Sequence, residues 1–121
     1  MNTAKRGREG EDRAVRYLED GGYSILRRNY RKRTGEIDII AEMGEEIVFL
    51  EIKCWSGYDE MQLENIVNQK KRRRIIQTAR SFLSDTGMGE NRRLRFDVIL
   101  LEGHNGSVHH YENAFTESGV V

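Results

Sequence analysis

The segment from residue 36 to residue 54 constrains the fold of this chain more than any other part of its sequence. It contains two runs rich in β-branched and aromatic side chains, residues 36–41 (EIDIIA) and 47–54 (IVFLEIKC), separated by a short turn around Gly44. Runs of this composition favour β-strands, and so short a connection favours an antiparallel hairpin. The sequence therefore predicts two neighbouring strands of a β-sheet here.

Two other segments have the periodicity of amphipathic helices. Small and apolar residues recur three and four positions apart in residues 4–20, and the pair Gly21 and Gly22 is expected to end this helix. Residues 63–83 are also mostly helical, but the phase of their apolar residues changes along the segment. That change predicts a break, or two helices, near residues 68–71.

Three more segments are predicted to be strands, at residues 23–30, 94–102 and 108–111, the last as a short edge strand. A basic loop at residues 31–35 is expected to connect the first of them to the hairpin. The resulting order is αβββαβ with one short extra strand, and 121 residues are the size of one ordinary domain. We therefore expect residues 1–121 to form one α/β domain with a mixed sheet.

Composition excludes several classes of protein. Cys54 is the only cysteine, which excludes an intramolecular disulfide framework, and there is no Cys and His cluster with the spacing of a structural zinc site. The sequence has no signal-peptide pattern and no apolar stretch close to the roughly 18 residues of a membrane span, so we expect a cytoplasmic protein outside the membrane. The 20 basic and 20 acidic residues balance, so net charge does not indicate the partner.

Glu11 occupies an unusual position on the first predicted helix. It lies three, four and seven residues before Ala14, Val15 and Leu18, which places its carboxylate on the apolar stripe that faces the core. Two interpretations are open: the side chain reaches past the edge of the stripe to water, or it belongs to a charged site in the interior.

Charged residues of the hairpin are expected to share one face of the sheet. Side chains alternate along a strand, so Glu51 and Lys53 lie on the same side. A turn formed by residues 44–45 would place Asp38 opposite Glu51, and a turn formed by residues 43–44 would shift Asp38 by two positions. In either register these three side chains are on one face, whereas a turn one residue longer or shorter would separate them.

Converging carboxylates in so apolar a hairpin need more compensating positive charge than one lysine supplies. A hard divalent cation such as Mg²⁺ or Mn²⁺ would supply that charge and prefers oxygen ligands. The alternative is a structural cluster of ion pairs. Glu36 is expected to cap the hairpin or to pair with Lys53 rather than to bind metal.

The spacing of these residues resembles the signature of the PD-(D/E)xK nuclease superfamily, since Asp38 is followed thirteen residues later by Glu51-x-Lys53. In such a site the carboxylates hold the metal, and the metal polarises the phosphodiester and acidifies a water molecule. The lysine orients that water or stabilises the negative charge that develops.

A wider resemblance covers nearly the whole chain, which is similar to the YraN family of uncharacterised bacterial proteins. That family has an endonuclease-like fold related to archaeal Holliday-junction resolvases. The matching segments are GREGEDRAVRYL (7–18), Gly22-Tyr23 with Asn29, GEIDIIA (35–41), VFLEIK (48–53), KRRRIIQTARSFL (71–83), RFDV (95–98) and Asn113-Ala114-Phe115.

This resemblance implies a restriction-endonuclease-like core, in which helices flank a central mixed β-sheet. It also implies a metal site and a catalytic-type lysine. The implied ligands are Glu11, Asp38 and Glu51, and the implied lysine is Lys53. A polar group on the second predicted helix, Gln69 or Lys71, would lie near the substrate.

Basic residues are concentrated in residues 27–33 and 70–74, each holding five Lys or Arg. From Phe96 onward there is no Lys or Arg, so positive charge lies among the elements that carry the carboxylates. Such a run is either a solvated surface or a contact for the phosphate backbone of a nucleic acid. The candidate contacts are Arg31, Lys32, Arg33, Gln69, Lys70, Lys71, Arg72, Arg73 and Arg74.

The C-terminal third carries few residues suited to chemistry. His104, His109 and His110 are expected on the surface, in a loop and an edge strand. Asp97 is expected to be a core-strand carboxylate that pairs with Arg95 or with a backbone amide.

These features together favour a Mg²⁺- or Mn²⁺-dependent endodeoxyribonuclease that acts on branched or nicked DNA rather than on a defined sequence, the preference for branches resting on fold analogy. Two alternatives remain open. One is a nucleic-acid-binding module that has kept the fold without catalysis, and the other is a protein-interaction domain with a structural ion cluster. Cleavage of two antiparallel strands is compatible with a homodimer.

Overall fold

A five-stranded sheet lies between helices in this computed structural model, which describes residues 3–55, 62–103, 106–116 and 119–120. Its elements are α1 (Thr3–Asp20), β1 (Ser24–Lys32), β2 (Gly35–Met43), β3 (Glu46–Trp55), α2 (Leu63–Ile66), α3 (Gln69–Thr86), β4 (Arg93–Glu102) and β5 (Val108–Tyr111). The strands of the sheet lie in the order β1-β2-β3-β4-β5. Two shorter strands, β6 (Phe115–Thr116) and β7 (Gly119–Val120), pair separately.

The sheet is mixed, because β3 and β4 run parallel while the other neighbouring pairs run antiparallel. Parallel strands need a crossover connection, and this crossover contains α2 and α3. The predicted α/β class, mixed sheet and αβββαβ order are therefore confirmed. The sequence does not predict β6 and β7, since strands of two residues are too short to show alternation.

Different helices cover the two faces of the sheet. On one face Leu18 of α1 packs in a cluster with Leu50 of β3. On the other face Phe82 of α3 packs against Phe49, with ring centroids 6.1 Å apart. Consecutive strand residues point to opposite faces, which is why residues 49 and 50 can serve both layers. None of the helices in the described part of the chain is long and apolar enough to span a membrane.

The turn between β2 and β3 selects one of the two predicted registers. The paired residues flank residues 44–45, and Gly44 adopts a left-handed φ of 58° that favours glycine. Regular pairing extends as far as Leu50. This is the register in which Asp38 is predicted opposite Glu51, and the regular pairing ends one position before that pair.

Asp38 takes part in the hydrogen bonding at the end of this hairpin. The backbone N–H of Ile52 donates to the Asp38 carboxylate at 2.8 Å. In a regular antiparallel ladder, that N–H would donate to a backbone carbonyl of the neighbouring strand. The bond therefore fixes the Asp38 carboxylate close to β3.

The predicted basic loop at residues 31–35 is wrong. Arg31 and Lys32 belong to β1, and Lys32 pairs with Gly35, so only residues 33–34 form the turn. Cross-strand pairing accounts for the difference, because Arg31 faces Glu36 and their opposite charges stabilise two further paired positions.

The predicted break in the second helical segment is confirmed. α2 ends at Ile66, and the side chain of Asn68 accepts a hydrogen bond of 2.9 Å from the backbone N–H of Lys71. Asn68 is thus the N-cap of α3, where such a bond satisfies a backbone donor that the helix leaves free. This cap fixes the first turn of α3 beside the hairpin.

The predicted end of the first helix is also confirmed. Gly21 and Gly22 follow α1, Gly22 has a φ of 93°, and the N–H of Tyr23 donates to the Leu18 carbonyl at 2.9 Å. Earlier in α1, a Cβ on Gly10 would overlap the Cys54 sulfur. The absence of a side chain at Gly10 therefore lets α1 lie close to β3.

Candidate functional site

Asp38 and Glu51 line one cavity at the end of the β2–β3 hairpin where their strands approach α3. The cavity has a volume of about 390 Å³. Its lining residues are Gly35, Glu36, Asp38, Glu51, Asn68, Lys70, Lys71, Arg74 and Ile75. The predicted convergence of Asp38 and Glu51 on one face of the sheet is therefore present, with the N-terminal part of α3 facing them.

The Asp38 carboxyl is electrostatically unfavourable in its charged form. Burial raises its pKa to about 7, and the neighbouring Glu51 carboxylate contributes to the increase. The hydrogen bond from Ile52 and the positive charge of Lys71 oppose these effects without cancelling them. Additional positive charge in the cavity would favour the ionised form of Asp38.

Glu51 is held by a lysine of α3. Its side chain is only 10% exposed, and Lys71 Nζ lies 2.5 Å from Glu51 Oε1. The Lys71 side chain is 44% exposed, so this ion pair reaches from the buried strand to the solvent at the cavity. A buried carboxylate without such a partner would be strongly destabilising.

Lys53 is separate from this arrangement. Glu51 and Lys53 pair in register with Val98 and Leu100 of β4, which both face α3, so Lys53 shares the face predicted for it. Its side chain is nevertheless exposed and does not line the cavity. Within the described part of the chain, no ion pair is formed by Lys53. The lysine that contacts Glu51 is thus Lys71.

Glu11 is buried on the core-facing side of α1, as its position in the apolar stripe predicts. Arg28 Nε lies 2.7 Å from its carboxylate, and Asn29 Nδ2 donates to the same oxygen at 2.9 Å. Asn29 has a left-handed φ of 52° within β1. The Glu11 carboxylate is therefore satisfied by β1 rather than placed beside Asp38 and Glu51.

The three predicted metal ligands are not assembled in one place. Among the described residues there is no group of three or more His, Cys, Asp or Glu side chains that could hold a metal ion. Glu36 differs from its prediction as well, since it neither caps the hairpin nor pairs with Lys53 but lies 3.3 Å from Arg31. Asp38 and Glu51 are the carboxylates that the fold brings together inside.

The predicted nucleic-acid contacts fall into two groups. Lys70, Lys71 and Arg74 line the cavity, and further exposed members lie on α3, at the end of β1 and in the β1–β2 turn. These further members are Arg31, Lys32, Arg33, Gln69 and Arg73. Two of them have partners, since Arg31 pairs with Glu36 and Lys32 Nζ lies 2.8 Å from Asp85. Most of the predicted set is therefore on the surface.

Arg72 is the exception and leaves the set of surface contacts. It is 7% exposed, and its guanidinium bonds the Glu64 carboxylate at 3.1 Å and the Val67 carbonyl at 2.7 Å. Those contacts join α3 to α2 and to the residue between them. The sequence does not predict that Arg72 is buried, because a run of five basic residues gives no indication of which side chain faces inward.

Comparison with known proteins identifies the family. A model described as uncharacterised protein family UPF0102 matches residues 10–101. The chain belongs to the UPF0102 family. This is the YraN-type family whose resemblance the sequence carries, so that prediction is confirmed.

Relatives within UPF0102 align along nearly the whole chain. A UPF0102 protein of Sulfurihydrogenibium sp. (strain YO3AOP1) is 40% identical over 116 residues, covering 96% of this chain and 98% of the relative. A UPF0102 protein of Persephonella marina is 42% identical over 110 residues, covering 91% and 92%. One of Chloroflexus aurantiacus is 38% identical over 121 residues, covering 98% of each. These matches establish membership in UPF0102 and do not specify an activity.

A second polar cluster of this UPF0102 chain lies on the face of the sheet covered by α1. Asp97 is fully buried and accepts hydrogen bonds from Arg95, from His110 Nε2 at 2.7 Å and from the Asn113 N–H at 2.8 Å. Burial raises its pKa, but these bonds and the Arg95 charge outweigh burial, so the pKa of Asp97 is lowered. The predicted pairing with Arg95 or a backbone amide is confirmed, in both forms.

The prediction for His110 is wrong. Its side chain is 7% exposed, and its Nδ1 lies 3.1 Å from the hydroxyl of Tyr17 on α1. Strand alternation in residues 108–111 (VHHY) could have predicted this burial, because Val108 and His110 share the inward face of β5 while His109 points outward. His109 is exposed, as predicted, and His104 lies outside the described residues.

Proposed function

We propose that this protein is a Mg²⁺- or Mn²⁺-dependent endonuclease that hydrolyses phosphodiester bonds in DNA, built on a PD-(D/E)xK core. The observation that carries the proposal is that Asp38 and Glu51 line one cavity together with basic residues of α3. The hairpin followed by a helical crossover and a parallel strand is compatible with such a core. Asp38 and Glu51 are the proposed metal ligands.

The donor set suits a hard divalent cation. Both ligands offer carboxylate oxygens, and Mg²⁺ is usually bound by one or two carboxylates, with waters and substrate phosphates completing its coordination. The raised pKa of Asp38 also favours a cation, because positive charge would relieve its repulsion from Glu51. When bound, the ion would polarise the phosphodiester and lower the pKa of a water ligand.

The chain's own residues would bind and orient the phosphodiester. Lys70 and Arg74 line the cavity beside the proposed ligands and can donate to phosphate oxygens. Lys53 stays the proposed catalytic-type lysine, because it shares the face of Glu51 and its flexible four-carbon stem can turn toward the cavity. Glu11 would join the ligands only if Arg28 released it.

The charge of α3 supports a nucleic acid as the substrate. From Gln69 to Ser84 the sequence has six Lys or Arg and no Asp or Glu. A basic helix beside a metal site suits a phosphate backbone. Preference for branched or nicked DNA, and action as a homodimer, are extensions of this proposal that rest on fold analogy.

A nucleic-acid-binding module without catalysis is the second candidate. Two observations favour it: Lys71 already forms an ion pair with Glu51, and Lys53 is exposed and does not line the cavity. In that case the carboxylates and Lys71 form a structural ion cluster, and the basic surface alone binds DNA.

Cleavage assays with a matched pair of variants separate the two candidates. Glu51→Gln should lose at least about a hundredfold in Mn²⁺-dependent cleavage, because it removes a proposed metal ligand while nearly preserving volume. Glu36→Gln is the control, since Glu36 lines the same cavity but is exposed, and it should stay within a few-fold of wild type. Duplex, nicked, single-stranded and four-way DNA should all be tried. If wild type cleaves none of them but binds DNA, the second candidate replaces the first.

A further inference from the structure

The ion pair between Lys71 and Glu51 connects the two sides of the cavity. Lys71 Nζ lies 2.5 Å from Glu51 Oε1, which is close contact for an ammonium and a carboxylate. Glu51 belongs to the buried centre of the sheet, whereas Lys71 comes from the first turn of α3. Glu51, one of the two proposed metal ligands, is therefore already paired with a cation of the chain, the Lys71 ammonium.

Lys71 is built to release its side chain without disturbing the fold. Its backbone N–H is held by the Asn68 cap at 2.9 Å, which fixes where its Cα lies. Its side chain is 44% exposed and ends in a rotatable ammonium on a flexible stem. The Nζ can thus move from Glu51 to a group in the cavity by side-chain rotation alone.

The charges of the cavity give a reason for that movement. Three carboxylates and three basic side chains line it, so their formal charges balance. They are Glu36, Asp38, Glu51, Lys70, Lys71 and Arg74. A divalent cation bound at Asp38 and Glu51 would leave an excess of positive charge, which an anionic phosphate would neutralise.

We infer that Lys71 competes with the divalent metal ion for Glu51, and that metal binding frees Lys71 Nζ to bind a phosphate of the nucleic acid. This inference rests on the proposed function, because it takes Asp38 and Glu51 as the metal ligands. Lys71 then serves as a positioning residue that couples binding of the metal ion to binding of the nucleic acid. By thermodynamic linkage, metal and nucleic acid raise each other's affinity by the same factor.

Metal titration without nucleic acid tests the competition. Isothermal calorimetry with Mn²⁺ should give a roughly tenfold higher affinity for Lys71→Met than for wild type, within the usual range for coupled sites. Lys70→Met is the matched control: Lys70 lines the same cavity, loses the same charge, and forms no ion pair with a described residue. The Mn²⁺ affinity of Lys70→Met should differ from that of wild type by less than about threefold. This difference measures what the loss of one positive charge contributes without the loss of an ion pair.

Two further variants keep the test decisive. Lys71→Arg retains a cation that can reach Glu51 and should bind Mn²⁺ as wild type does. Circular dichroism checks that each variant is folded, and Lys71→Gln replaces Lys71→Met if the latter is not. The higher metal affinity is a result that a merely structural role for Lys71 does not give, since loss of a structural pair would disorder the site and weaken binding.

The outcomes distinguish this inference from the proposal beneath it. Higher Mn²⁺ affinity in Lys71→Met with little change in Lys70→Met supports the competition, including the case in which wild type shows no measurable binding. Equal or weaker affinity in Lys71→Met, while wild type binds and Glu51→Gln does not, overturns the competition and leaves the metal site intact. Absence of Mn²⁺ binding in wild type and in both lysine variants overturns both.

Discussion

At the scale of single residues, the ionised Asp38 carboxylate lowers the stability of the fold. Burial and the neighbouring Glu51 raise its folded pKa from 3.8 to about 7. In the unfolded chain it ionises near its ordinary value, so the folded state binds more protons between pH 4 and 7. Stability from this group is complete below pH 4 and is lost as the pH rises through 7. A carboxyl that weakens the fold at neutral pH is what a functional site would contain.

Replacement of Asp38 by Asn should stabilise the metal-free protein at pH 8. The amide cannot ionise and can still accept the Ile52 hydrogen bond. The gain should be at most about 4 kcal/mol, because one pKa unit corresponds to about 1.4 kcal/mol. It should shrink as the pH falls toward the unfolded pKa near 4 and approach zero below about pH 3, where wild type is protonated in both states. Urea unfolding of the two proteins across this range measures the difference.

Asp20→Asn provides the control for that experiment, since Asp20 is an exposed aspartate at the end of α1. It should change the unfolding free energy by no more than about 0.5 kcal/mol at any pH. A difference between Asp38→Asn and wild type that stays constant from pH 4 to 8 would mean that Asp38 has an ordinary pKa.

At the scale of secondary-structure elements, the pattern of apolar residues predicts most of the sheet. The strand pair at residues 36–41 and 47–54 is visible because alternation, β-branched residues and a short turn agree. The sequence leaves two registers for the turn, and the left-handed Gly44 with pairing around residues 44–45 distinguishes them. Register determines which residues face each other, so the Asp38–Glu51 pair was one of two expectations.

The pattern of apolar residues does not predict contacts between elements that are distant in sequence. The assignment of Glu51 to Lys71 depends on how α3 crosses the sheet, and the binding of Glu11 by Arg28 depends on the path of β1. Neither spacing nor alternation determines such packing. Arg72 shows the same limit within one helix, because five consecutive basic residues do not reveal which one is buried.

The Asp97 cluster joins β4, β5 and α1, and it should contribute to stability in the opposite sense to Asp38. Asp97→Asn should destabilise the protein by about 3 kcal/mol or more at pH 7, because Arg95 loses its buried counter-ion. The lowered pKa of Asp97 means that its contribution is present above the unfolded pKa near 4 and is lost as the pH falls through the folded pKa. The variant should therefore lose less stability on acidification than wild type.

Asp85→Asn is the matched control for this cluster. Asp85 is exposed, and its partners in the described part of the chain are Lys32 and Tyr30 at the surface, so its replacement should have little effect on urea unfolding at pH 7. If Asp97→Asn is no less stable than this control, the buried hydrogen bonds of Asp97 do not contribute net stability.

At the scale of the whole molecule, positive charge is unevenly distributed although the net charge is zero. α3, the end of β1 and the β1–β2 turn present exposed basic residues on the side of the cavity, whereas α1 covers the opposite face of the sheet. A nucleic acid that reaches the Asp38–Glu51 cavity would therefore lie along α3. Binding on this face releases counterions from the phosphates that the basic residues contact, which makes the affinity depend on salt.

Paired substitutions on the two helices test which face binds DNA. The double change Arg73→Gln and Arg74→Gln removes two exposed charges from α3, and Arg8→Gln with Arg16→Gln removes two exposed charges from α1. In a plot of log Kobs against log salt concentration, each lost phosphate contact should reduce the slope by about 0.9. The α3 pair should therefore flatten the slope by up to about 2, and the α1 pair should leave it unchanged. If the α3 pair leaves the wild-type slope unchanged, the DNA does not lie along α3, because only contacted phosphates release counterions.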